Sequence, residues 1–127
     1  MKTYEATVGR DGKWWMIRVP EVGGVSQARS LGEAATMARS LIAVSLDVDP
    51  TSFEVSLVVE AVGSVPDVSG EVAAIAALRE RAAAEEREAT ARAALLAKRL
   101  ASEGLTVRDI GAVLGVSFQR AHQLVAA

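Results

Sequence analysis

The sequence of 127 residues predicts an α+β protein: a small β-β-β-α-β domain, then a long α-helix, then two short helices. Three observations carry this. Tyr4, Ala6 and Val8, then Trp15, Ile17 and Val19, recur with period two on one apolar face, and Phe53 to Glu60 alternates likewise, the pattern of half-buried strands. Ser30-Leu31-Gly32-Glu33 has the form of a capping box and opens a helical period. Near residue 66 the composition changes from β-branched residues, both Trp and Gly-punctuated turns to an Ala-rich tract, in which thirteen of residues 71–103 are Ala. The boundaries that follow are a domain over 1–63, a linker over 64–70, a helix over 71–103 and a closing helical pair over 104–127.

The first two strands form a hairpin. Asp11-Gly12 is a two-residue turn signal of the type I′ kind, which needs φ > 0 at both positions. With that turn, Val8 pairs with Trp15, Ala6 with Ile17 and Tyr4 with Val19 on an apolar face. The other face sets Glu5 across from Arg18, Thr7 from Met16 and Gly9 from Trp14. Pro20 ends the second strand, 20–24 is a loop, and 25–28 reads as a short third strand. Ser30 caps a helix running to about Asp47, with Leu31, Ala34, Ala38, Leu41, Ile42 and Ser45 along one stripe. Asp49-Pro50 ends it. Phe53 to Glu60 then alternates as a half-buried strand. One helix can cover only one face of this sheet, which leaves Trp14 and Met16 open as partner-binding residues unless the linker or the long helix covers them.

The long helix has no Gly or Pro between 71 and 103, so its intrinsic propensity is high. Glu88 and Arg92 are an i,i+4 pair. Ile75, Leu78 and Ala82 make one apolar seam, and Leu96 and Leu100 another. Two readings fit: a solvated spacer with apolar ends, and a dimerising coiled coil.

Composition narrows the function. Cys is absent and there is one His, which excludes a disulfide scaffold, a zinc ribbon, a thiol nucleophile and a His-rich metal centre. No stretch approaches the about 18 apolar residues of a membrane span, and the N-terminus lacks a signal-peptide run, so the expected location is cytoplasmic. The formal charge of −2 divides into −3 over residues 1–70 and +1 over 71–127. Nucleic-acid binding would therefore depend on a local patch and on two copies acting together, which makes a homodimer or higher homo-oligomer the expected state. Candidate catalytic carboxylates do not converge: Asp11 lies in a turn, Glu33 in the capping box, Asp47 and Asp49 at a helix end. With no Gly-rich phosphate loop and no Ser–His pair, no catalytic, metal or cofactor residues are assigned, and the protein is expected not to be an enzyme.

The residues that point to a function are at 106–125. Thr106 caps a helix in which Ile110 and Leu114 face inward and Gly111 is small because a second helix crosses there. Gly115 supplies a left-handed turn residue and Val116 fills the gap. Ser117 caps the second helix, and its Ala121 and Leu124 face inward. This is a helix-turn-helix pattern. Phe118, Gln119, Arg120, His122 and Gln123 remain outward. Gln119, Arg120 and Gln123 suit base edges in a major groove, and Thr106, Arg108 and Ser117 suit phosphates. A protein-docking helical hairpin is the other reading of this segment, and a structural coiled-coil adaptor is another reading of the whole chain.

The order of these motifs resembles the HicB family of type II antitoxins. The matching residues are Tyr4-Glu5-Ala6, Asp11-Gly12, the Trp14–Val19 strand leading into Pro20-Glu21-Val22-Gly23-Gly24-Val25, and Ser30-Leu31-Gly32-Glu33-Ala34; the helix-turn-helix is similar to one of that family's two DNA-binding tails. The resemblance implies a partial RNase H-like N-terminal fold that binds and occludes a HicA-type mRNA-cleaving toxin. It also implies a C-terminal domain that binds operator DNA and represses transcription. A regulator of phage or mobile-element origin without a toxin would carry the same motifs.

Overall fold

A computed structural model describes residues 1–127. Its elements are strands β1 (Lys2–Asp11), β2 (Trp14–Val19) and β3 (Gly24–Ala28), helix α1 (Leu31–Leu46), strand β4 (Phe53–Val62), and helices α2 (Val68–Ser102), α3 (Val107–Leu114) and α4 (Phe118–Ala126). The protein is α+β, with one mixed four-stranded sheet and four helices. The chain divides into two units, Met1–Ile75 and Ala76–Ala127.

In the first unit the strand order is β3-β2-β1-β4, with β1 antiparallel to β2 and parallel to β4. The β1–β2 register differs from the expected one. Asp11 pairs with Trp14, Arg10 with Trp15, Val8 with Ile17 and Thr7 with Arg18. The two-residue loop is thus Gly12-Lys13. Gly12 has φ 68° and Lys13 is not in the left-handed region, as in a type II′ rather than a type I′ turn. Pairing slips by two residues, and because strand side chains repeat every two, each residue keeps its face. Glu5 therefore does not oppose Arg18; Arg18 lies across from Thr7, whose hydroxyl donates to the Arg18 carbonyl (3.5 Å).

One sheet face carries the core. Ala6, Val8, Ile17, Val19, Ala28 and Phe53 are buried against Ala34, Ala38 and Ile42 of α1, with Tyr4, Trp15, Leu41, Leu57 and Val59 packed around them. Of the expected α1 stripe, Leu31 and Ser45, in the first and last turns of the helix, are exposed. Ser30 caps α1 and its hydroxyl accepts from the Glu33 N–H (3.1 Å); the Glu33 carboxylate accepts from the Arg29 N–H (3.2 Å) instead of closing the box on Ser30. Asp47, at φ 52°, ends the helix. Arg39 then ties α1 to the following turn. Its guanidinium donates to the carbonyls of Pro50 and Phe53, the latter at 2.9 Å, and lies over the Phe53 ring. α2 begins at Val68, within the stretch whose composition suggested a linker, and the Ser69 hydroxyl accepts from the Val59 N–H of β4 (2.7 Å).

In the second unit, Ala97, Ile110, Ala121 and Leu124 are buried together, flanked by Leu100, Leu105, Leu114 and Val116. Small residues let the three helices approach closely. A Cβ on Gly111 would stand 3.0 Å from the Val116 carbonyl oxygen and 3.5 Å from the Ala121 Cβ.

Candidate functional site

The sequence-predicted residues fall in two places. Eight lie on the α3–turn–α4 segment and two on the sheet. Thr106 and Ser117 are N-caps: their hydroxyls accept from the Asp109 N–H (3.2 Å) and the Arg120 N–H (3.1 Å). Each hydroxyl still has its own proton to donate. Gly115, at φ 72°, turns the chain between α3 and α4, and the Val116 N–H closes the turn on the Gly111 carbonyl (2.9 Å). With a cap at its start and Ala121 and Leu124 buried beneath it, α4 is held in one rotation, so its remaining residues have a defined outward face.

That face has internal order. Phe118, Gln119, His122, Gln123 and Ala126 line one shallow groove along α4. Phe118 and His122 meet edge to face, with centroids 6.5 Å apart, and the Arg108 guanidinium from α3 lies 5.8 Å from the Phe118 centroid. Arg120 stands beside this groove and donates to the Gln123 side-chain oxygen (3.3 Å). No acidic residue lies on α4, so its outward charge is basic or neutral. Ala126 was not among the expected residues. Helical spacing was the available signal, since 118, 122 and 126 form one i,i+4 row.

On the sheet, Trp14 is 42% exposed and Met16 is 36% exposed, both on the face away from α1. The Arg29 guanidinium lies 5.5 Å from the Trp14 ring centroid, and Lys13, Trp14 and Arg29 line a surface depression. Arg29 went unnoticed in the sequence, although β-alternation places it in line with Val25 and Gln27 on the same face. Two carboxylates on this unit serve local structure. Glu33 bonds the Arg29 N–H, and Asp49 accepts from the Thr51 N–H (2.8 Å) and hydroxyl (2.6 Å), which holds its carboxyl below the usual aspartate range. No three His, Asp or Glu side chains converge on a point that could hold a metal ion.

No family model matches the chain, and neither does any curated protein or solved structure searched. No helix is long and apolar enough to cross a membrane.

Proposed function

We propose that the chain is an antitoxin-like transcriptional repressor. α3 and α4 act as a helix-turn-helix, with α4 laid in the major groove of operator DNA. Gln119 and Gln123 offer the paired donor and acceptor that match adenine N6/N7, and Arg120 the fork that matches guanine O6/N7. Arg108 and the cap hydroxyls of Thr106 and Ser117 meet phosphates. The observation that supports this reading best is the outward face of α4: mostly polar apart from Phe118, free of acidic residues, and fixed in rotation by a cap at its start and a buried stripe beneath.

One copy offers few cations to the phosphate backbone, so binding as a homodimer on two half-sites goes with this reading. The HicB resemblance supplies the second role. The N-terminal domain would hold a HicA-type toxin on the sheet face that bears Trp14 and Met16, whose exposure supports an interface there. Both roles are binding roles, in the cytoplasm, without catalysis, cofactor or metal.

Fluorescence anisotropy with a labelled duplex from upstream of the coding sequence tests the DNA role. Affinity should fall steeply with salt and fall further in Arg120→Ala. Equal affinity of Arg120→Ala and the unsubstituted chain at every salt concentration would remove α4 as the reading helix.

A further inference from the structure

We infer that Phe118 reads the 5-methyl group of thymine, which makes it a specificity-determining residue beside the glutamines; this rests on the DNA-binding reading above. Phe118 is the first residue of α4 and is 53% exposed on a face that is otherwise polar. It takes no part in the buried cluster of Ala97, Ile110, Ala121 and Leu124. Half-exposed and outside the core, the ring is nonetheless held in place. The Arg108 guanidinium lies 5.8 Å from its centroid and the His122 ring meets it at an interplanar angle of 64°. Its neighbours in the groove are Gln119 and Gln123.

Among the groups that base pairs present in the major groove, the thymine 5-methyl is the apolar one, and Phe is a side chain that contacts it. The Arg108 guanidinium beside the ring suits a polyanion close by. The arrangement thus offers an apolar ring for thymine and amides for adenine on one helix face. The half-site should contain a thymine beside the adenine that a glutamine reads.

The test uses the full chain and a duplex selected from a random-sequence pool. Each thymine in the selected site is replaced in turn by deoxyuridine, which removes only the methyl group. One position per half-site should weaken binding roughly fourfold, the value expected for one buried methyl. Phe118→Ala should lose that discrimination and bind thymine and uracil duplexes alike. Two results would overturn the inference while leaving DNA binding intact: no uracil sensitivity at any position in the wild-type protein, or the same sensitivity in Phe118→Ala. A change of oligomeric state in Phe118→Ala, with its uracil profile unchanged, would also overturn it and mark the ring as a protein contact. Failure to select any duplex would instead count against the DNA-binding reading itself.

Discussion

Replacing Gly111 by Val should destabilise the second unit while sparing the first. Gly111 sits where α3 passes the α3–α4 turn. A single Cβ there would already be 3.0 Å from the Val116 carbonyl oxygen, and that oxygen belongs to backbone, which cannot swing aside as a side chain could. Two opposing effects decide the sign. Leaving glycine removes a helix penalty of about 1 kcal/mol at most, and Val regains only part of it because it is β-branched. Overpacking costs about 1–3 kcal/mol, and the two further methyls of Val put this case at the upper end. The net loss should be about 2 kcal/mol. A unit of this size has a total stability of roughly 3–8 kcal/mol at 0.05–0.15 kcal/mol per residue, so the loss is a large fraction. Both tryptophans, Trp14 and Trp15, lie in the first unit, so their fluorescence reports that unit, whereas helical circular dichroism is weighted to α2, α3 and α4. In urea the dichroism midpoint should fall and the fluorescence midpoint should stay. Unchanged dichroism would refute the close helix approach at Gly111; a joint fall of both midpoints would refute the independence of the two probes.

Three further outcomes are expected. Arg39→Met keeps the aliphatic stem but loses the bonds to the Pro50 and Phe53 carbonyls, and should lower the stability of the first unit by about 1–2 kcal/mol in urea unfolding followed by Trp fluorescence; an unmoved midpoint would contradict the role of Arg39 as a tie. Trp14→Ala removes a half-exposed ring, so the stability from urea unfolding read through Trp15 should fall by about 1 kcal/mol; a loss of several kcal/mol would show that Trp14 is core. The Asp49 carboxyl has a lowered pKa in the folded chain, so its contribution is complete above the ordinary aspartate range and is lost as pH falls through the folded value. The Thr51 amide shift should therefore titrate below the range of a free aspartate, and a midpoint at the ordinary value would contradict the turn geometry.

Local signals were readable in the sequence. The caps Ser30, Thr106 and Ser117 each accept from the amide three residues on, as Ser/Thr before a helical period implies, and Gly115 takes its left-handed turn. Strand faces were readable too, because alternation assigns them whatever the register. The register itself was not. Asp11-Gly12 suggests a turn with both residues in the loop, but the chain keeps Asp11 in the strand and places Gly12 at the first loop position. The parallel pairing of β4 with β1 depends on where α1 delivers the chain, which no short pattern encodes. For the same reason the tie from Arg39 and the stacking of Arg108 on Phe118 were hidden: each joins residues of separate elements. The outward list on α4 could be read from its period, but its division into a groove row and an Arg120–Gln123 pair needed side-chain positions.

The claim that α4 is the DNA-reading face is tested most directly by titrating the isotopically labelled full chain with a selected duplex and following its amide shifts. Perturbations should concentrate at Phe118–Gln123, with smaller ones at the capped starts of α3 and α4 near Thr106 and Ser117, and none on β1–β4. Perturbations centred on the sheet residues around Trp14 and Arg29, or none along α4 when the duplex is bound, would contradict it.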